Sequence, residues 1–401
     1  MPSLIEAART AYLEEFGQAP NVLAQAPGRV ELLGNHTDYN GGLVLAAAID
    51  RFTVIAGQAT SAAVVKAQSL AFGERDEFAL EPLEPGKPEA WGRYVRGVIW
   101  TLQQSEGPLK GGFQGTITSD VPLGAGLSSS ASLQAALALF LLEARLTNKA
   151  EGGGVLDDLA RMALAKSLQR GENEFVGVQS GLLDQFSVLF GQADMAVSLD
   201  CSNQAYERLP FGENPPAIVI CDSKTSRRLA DGMYNQRRAE CERVVAYFQD
   251  RRGPESVAWL RDLTIEEVEQ HWHDLDPVGR LRARHVLSEN ERVRQGAEAL
   301  KQGDIVRLGE LMSESHASSR DDFSNSSSHL EALIEAAEEA PGFLGGKLSG
   351  AGWAGCTVNL VQTDQTDEFA ESVRRQYAQR TATVPDIHIC RAAAGASAAS
   401  I

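Results

Sequence analysis

Val121–Ser132 reads VPLGAGLSSSAS and runs directly into Ala131–Leu146, ASLQAALALFLLEARL. The second segment is apolar nearly all round, which predicts a helix buried on every side. Gly124 and Gly126 allow a tight turn and a close approach of backbone to a ligand. The helix start behind them offers unpaired N–H groups and the positive end of a dipole. This is an anion cradle that needs no net positive charge, and the hydroxyls of Ser128, Ser129 and Ser130 add donors or a metal ligand. The same residues also suit a plain Gly/Ser turn capping a core helix. No lysine follows the glycines, so the stretch is not a Walker A loop.

Outward from this junction, strands are expected at Leu43–Ala56 and Phe113–Thr118, and helices over the first fifteen or so residues and at Leu156–Gln169. Strands at Met195–Leu199 and Ala217–Cys221 follow, the latter opening the second half. A charged helix at Tyr234–Gln249 comes next. Thr264 with Glu267, and Ser288 with Glu291, have capping-box spacing and predict two further helix starts. Late strands are expected at Thr357–Val361 and Ile387–Ile389. Strands and helices interleave without a regular βαβ series. That favours an α+β fold of two lobes, 1–200 and 201–401, over a doubly wound parallel sheet.

The bulk numbers agree with a globular chain. It has 401 residues, 43% hydrophobic and 23% charged, enough for a sizeable core. A net charge of −17 argues against nucleic acid or an anionic membrane as partner. Any phosphate must therefore be held locally. Cys201, Cys221, Cys241, Cys356 and Cys390 form no CxxC pair, which fits reduced, buried thiols in a cytoplasmic protein. The start of the chain is acidic where an export signal is basic. The longest apolar run, Ala135–Leu142, is too short to span a bilayer. No association element is visible, so monomer is the default.

Two more stretches carry chemistry. Gly171–Gln185, GENEFVGVQSGLLDQ, sets Glu172 and Asp184 in an apolar, glycine-rich context. Phosphoryl transfer needs a base or orienting group and an acid for Mg²⁺; a pair of surface acids near a turn is the plainer alternative. Ala26–Gly42, APGRVELLGNHTDYNGG, packs Arg29, Asn35, His36, Asp38, Tyr39 and Asn40 around glycines. Such density suits a sugar site, where each buried hydroxyl needs a partner, and equally a polar loop. Gly350–Gly355 matches GxGxxG, but without a βαβ unit it is a weak dinucleotide signal. It reads as a tight loop packing against the active site.

These stretches resemble the signature motifs of the GHMP kinases (galactokinase, homoserine, mevalonate and phosphomevalonate kinases), with Gly346–Val358 resembling the third motif. Within that group Ala26–Gly42, with GRVxLxGxHTDYNGG, resembles the galactokinase signature. WGRYVRGV (Trp91–Val98), YNQRRAEC (Tyr234–Cys241), LRDL (Leu260–Leu263) and RARHVLSENE (Arg282–Glu291) are further matches, and the likeness spans roughly residues 20 to 360. It implies a two-lobed fold with ATP and sugar in the cleft between the lobes. Asp184 would face the C1 hydroxyl of a galactose-like sugar, with Arg29 beside it. Glu172 and Ser130 would ligate Mg²⁺. Gly124, Gly126 and Ser128 to Ser130 would cradle the ATP phosphates. Asn35, His36, Asp38, Gly181 and Tyr234 would hold the sugar.

The chain departs from the pattern where the family usually reads GRVNLIGEHTD: Glu31 stands for Asn and Asn35 for Glu. The usual glutamate accepts a hydrogen bond from the C6 hydroxyl. An amide there would no longer repel a carboxylate, which opens galacturonate as a substrate, unless Glu31 compensates from its neighbouring position. The third motif reads KLSGAGWAG (347–355) where RMTGGGFGG is usual. Phe323–Leu330, FSNSSSHL, has lost a usual Cys-Pro-Glu, a change expected at the surface. Asp222 and Arg228 replace a usual Asn and His. The main expectation is a galactose 1-kinase. The alternatives are a kinase for galacturonate, N-acetylgalactosamine, L-arabinose or a heptose, a sugar and ATP sensor, and, remotely, a nicotinamide enzyme.

Overall fold

The computed structural model describes residues 3–401 apart from 89, 149–155 and 226–231; Arg228 lies outside the described residues. The strands in chain order are β1 (Val22–Leu33), β2 (Leu43–Thr60), β3 (Val64–Ser69), β4 (Glu74–Ala79), β5 (Gly112–Ser119), β6 (Met195–Asp200), β7 (Tyr206–Pro210), β8 (Ala217–Asp222), β9 (Phe343–Leu348), β10 (Cys356–Val361), β11 (Asp386–Cys390) and β12 (Ser397–Ser400). The helices are α1 (Leu4–Phe16), α2 (Trp91–Glu106), α3 (Ser129–Glu143), α4 (Asp158–Arg170), α5 (Leu183–Phe190), α6 (Met233–Arg252), α7 (Ile265–Gln270), α8 (Pro277–Gln302), α9 (Ile305–Ser318), α10 (Ser328–Glu338) and α11 (Thr366–Thr381).

Two mixed layers result. The first sheet runs β12-β1-β2-β5-β3-β4, with β6 on the other part of β2 and β7 on β6. The long β2 serves both branches: Leu43–Ala46 pairs with β6 and Thr53–Thr60 with β5. Only β3 and β5 run parallel among the described pairs. The second sheet is antiparallel, β11-β8-β10-β9. A division at residue 200 follows the second sheet, but β7 and β12 of the first sheet come from beyond it.

Helix α3 is the centre of the first layer. Its side chains from Ala135 to Leu141 are fully buried among β1, β2, α2 and α5. Each buried Leu or Phe there stabilises by about 1.5–3 kcal/mol, which fixes the helix start, and so the serine run, against the sheet. The opposite face of β1 and β2 packs on β8, β10 and α9 through Val30, Leu32, Ile220, Met312 and Val358. One core therefore joins the two sheets.

The expected strands and helices are present, most of them a residue or two longer. The capping box at Thr264 and Glu267 is formed reciprocally. The one at Ser288 and Glu291 is not a helix start. Helix α8 begins earlier, capped by Asp276 with Pro277 in its first turn, a stronger signal. Ser288 lies mid-helix and donates back to the His285 carbonyl at 3.0 Å, a bond that needs no cap. Phe323 and Asn325, expected near the surface, are fully buried. No described helix is long and apolar enough to cross a membrane.

Candidate active site

β1 begins the site. Its regular stretch pairs Arg29 with Ala48, Val30 with Ala47 and Glu31 with Ala46, so alternate residues share a face. Val30 is sealed in the core between the sheets, while Arg29 and Glu31 line a cleft of about 680 Å³. The first part of Ala26–Gly42, residues 26–33, is thus a strand and not a loop.

Arg29 ties three motifs together. Its Nε donates to Asp184 Oδ1 at 2.8 Å and its Nη2 to the same oxygen. Its Nη1 donates to the Gly126 carbonyl at 2.5 Å. Asp184 sits in the first turn of α5 and lines the cleft. Gly124 and Gly126 have φ of +71° and +78°, values that glycine adopts without penalty. Ser128, at φ +57°, is the N-cap of α3, and its Oγ is buried without a partner among the described residues. Ser129 and Ser130 follow on the cleft wall. The first N–H groups of α3 point where intrahelical acceptors are absent. A loop of this shape with an orphaned hydroxyl suits an anion.

Glu172 lies in a π-helical turn, Gly171–Val176, at the end of α4, an irregularity often found at functional sites. Its Oε2 accepts from Ser180 Oγ at 2.7 Å and Gln185 Nε2 at 2.6 Å. Burial pushes its carboxyl up, with Ser180, Gln185 and Ser130 acting against that and Asp184 adding to it. It is not itself on the cleft wall, but Ser180 and Ser130 are. No Lys or Arg pairs with it among the described residues. A buried carboxylate without a cation beside a hydroxyl is a donor set that fits a hard divalent ion. Among the described residues no group of three or more His, Cys, Asp or Glu could hold a metal, so further ligands would have to come from phosphate oxygens or water.

The remaining predicted residues gather on the adjoining wall. Asp38 is pressed against Gly181, where a β-carbon would collide with its carboxylate. Burial pushes Asp38 up to about 7, and the charges of Glu31 and Asp184 add to this. Tyr234, at the start of α6, lines the cleft and packs edge-on against Tyr39. His36 lines it too, but both ring nitrogens are taken. Nε2 bonds the Ala351 carbonyl at 3.0 Å, so it carries the proton, and Nδ1 accepts from Tyr39 Oη at 2.9 Å. Burial lowers its pKa to about 3, so it is a neutral wall residue. Asn35 is buried as well, with its amide engaged by protein.

Sequence reasoning missed the supports. Glu289 Oε2 accepts the N–H groups of Gly34 and Asn35 at 3.0 and 2.9 Å. His285 Nε2 bonds the Asn35 carbonyl at 3.0 Å. Both lie in RARHVLSENE, whose match to the family was the only available signal. Burial would raise Glu289, but Arg292, His285 and Lys347 hold it down to about 2. The Gly350–Gly355 loop packs on the site: Gly350 and Ala351 line the cleft, and the Trp353 ring meets His36 edge-on. Phe72, Trp91, Tyr94, Leu123 and Leu133 also line the cleft.

The chain is similar to known proteins along nearly its whole length. The galactokinase galactose-binding signature matches residues 10–59, the GHMP kinase N-terminal domain residues 93–192 and the GHMP kinase C-terminal domain residues 297–379. A galactokinase of Roseiflexus sp. (strain RS-1) is 40% identical over 96% of this chain and 95% of its own. One from Chloroflexus aurantiacus is 39% identical over 96% of each. The crystal structure of Lactococcus lactis galactokinase complexed with galactose superposes with a TM-score of 0.88 at 32% identity, covering 98% of this chain and 100% of that one. The mevalonate kinase of Methanococcus jannaschii shares the fold at a TM-score of 0.63 and 18% identity, over 93% of this chain and 99% of its own. The chain belongs to the galactokinase family of the GHMP kinases.

Proposed function

We propose that the protein transfers the γ-phosphoryl group of ATP to the C1 hydroxyl of D-galactose, giving the sugar 1-phosphate and ADP. The observation that carries this is Arg29, which holds Asp184 with two N–H groups and the phosphate-loop carbonyl of Gly126 with a third. It sets a carboxylate beside an anion cradle, the pairing that phosphoryl transfer to a hydroxyl requires.

In this reading the triphosphate lies on Gly124 to Ser130 and the start of α3, and the base of ATP against Phe72, Trp91 and Tyr94. Ser130 and Glu172 would hold Mg²⁺, which when bound neutralises phosphate charge. Asp38, Gly181, Tyr234 and the face of His36 bound the sugar. Asp184 Oδ2 takes the proton of the anomeric hydroxyl as its oxygen bonds to phosphorus and the bond to ADP breaks. An anomeric hydroxyl is more acidic than an ordinary alcohol, so a carboxylate suffices. Arg29 stabilises the charge that develops. The two lobes, a monomer and a cytoplasmic setting complete the proposal.

The test is the product. Incubation with Mg-ATP and D-galactose should yield a non-reducing, acid-labile sugar phosphate. A reducing, acid-stable phosphate would mean transfer to another hydroxyl and would refute the C1 assignment.

A further inference from the structure

Resting on the kinase reading, the cluster of Glu31, Asn35 and Lys347 calls for a role of its own. Arg29 and Glu31 leave the same face of β1, two residues apart, hence about 7 Å apart along the strand. That is of the same order as the separation of the anomeric and hydroxymethyl oxygens of a hexopyranose, which lie on either side of its ring oxygen. Both residues line the cleft, and both Glu31 and Asp184 act electrostatically on Asp38 and Tyr234.

Asn35 has no hydrogen-bonding capacity to spare. Its Nδ2 donates to Glu31 Oε1 at 3.1 Å and to the Gly350 carbonyl at 2.9 Å. Its Oδ1 accepts from Asn325 Nδ2 at 2.9 Å and Ser319 Oγ at 3.3 Å. An amide offers two donors and two lone pairs, and all four are used. Glu31 is different. Its Oε1 accepts from Lys347 Nζ at 2.6 Å and from Asn35, while Oε2 takes no hydrogen bond from any described residue. Lys347 is fully buried and stands where the usual third motif has arginine. The exchanged residues of the first and third motifs thus meet as one unit.

We infer that Glu31, not Asn35, is the specificity-determining residue, its Oε2 accepting the hydrogen of the sugar's hydroxymethyl hydroxyl. Asn35 and Lys347 are positioning residues. A carboxylate only accepts, so it needs a hydroxyl there and repels an anion. The substrate class is a neutral galacto-configured hexose with a free hydroxymethyl group. Galacturonate is rejected, contrary to what Asn35 alone suggests in the sequence.

The experiment compares kcat/KM for D-galactose and 6-deoxy-D-galactose in the wild type, Glu31→Gln, and Glu31→Leu with Lys347→Met. The double variant removes both charges, since a lone buried lysine would be costly. Both sugars are read on one preparation, so the ratio does not depend on the folded fraction. The wild type should prefer galactose by about 10- to 100-fold, the range for a hydrogen bond to a charged group, and should leave galacturonate untouched. The preference should fall to within about 3-fold of unity in the double variant and part of the way in Glu31→Gln. A wild type active on galactose but without the preference, or variants that keep it in full, overturns the inference alone. A wild type inert on both sugars overturns the kinase reading and this inference with it.

Discussion

Arg29 grips Asp184 by one oxygen: Nε and Nη2 both donate to Oδ1, and Oδ2 takes no hydrogen bond from a described residue. The guanidinium thus fixes the carboxylate while leaving one oxygen for a substrate proton. Arg29→Lys keeps the charge and loses the fork. We expect kcat to fall by about 100-fold or more, with both KM values within about 3-fold. Steady-state kinetics decide it; a kcat close to wild type would show that the fork is dispensable.

Gly181 is there for Asp38. A β-carbon at 181 would meet the Asp38 carboxylate, so Gly181→Ala must displace it. KM for galactose should rise about tenfold, the loss of one good hydrogen bond, with KM for ATP unchanged. Equal effects on both substrates would contradict a role confined to the sugar wall.

Asp38 gives a pH signature. Burial raises its pKa from 3.8 to about 7. Between those values the native state keeps a proton that the unfolded chain has lost. Stability therefore falls as pH rises through that window. Asp38→Asn removes this dependence, so its Tm relative to wild type should climb from pH 4.5 to pH 8. An offset that stays constant with pH would exclude the raised pKa.

Glu172 should trade stability against function. Burial raises its carboxyl and no cation offsets it among the described residues. Glu172→Gln should melt no lower than wild type without Mg²⁺, and need about tenfold more Mg²⁺ for half-maximal rate. A lower Tm with an unchanged Mg²⁺ requirement would make Glu172 purely structural.

The Glu31 and Asn35 exchange can be reversed. Asn35→Glu alone sets two buried carboxylates side by side on one lysine and should lose activity by about tenfold or more. Glu31→Asn with Asn35→Glu restores one anion for Lys347 and should recover most of it. A double variant worse than the single one would show that the unit cannot be inverted.

How much of this was readable follows from how each residue acts. Val121–Ser132 was legible because glycine, serine and an all-apolar helix are local signals. Arg29 beside Asp184, across 155 positions, was implied by the resemblance, but the one-oxygen grip is a tertiary detail that no motif carries. Ala26–Gly42 suited a polar loop as well as a sugar site, and its first part proved to be a strand, because Arg29 and Glu31 are buried polar residues paired far along the chain. Ser288 mimicked a cap since S-x-x-E also occurs inside helices. Asn35 looked like an open specificity switch because the sequence does not show Lys347, Asn325 and Gly350 saturating it. Glu289 and His285 shape the loop through backbone groups, so beyond the family match of RARHVLSENE the sequence holds no sign of their role.

The central claim is that Asp184, oriented by Arg29, receives the anomeric proton. The most direct measurement is galactose-dependent ADP release from Mg-ATP by the wild type and by Asp184→Asn, an isosteric change. The account predicts turnover in the wild type and a loss of about 1,000-fold or more in the variant, with galactose still bound. An Asp184→Asn enzyme within about tenfold of wild type would contradict it.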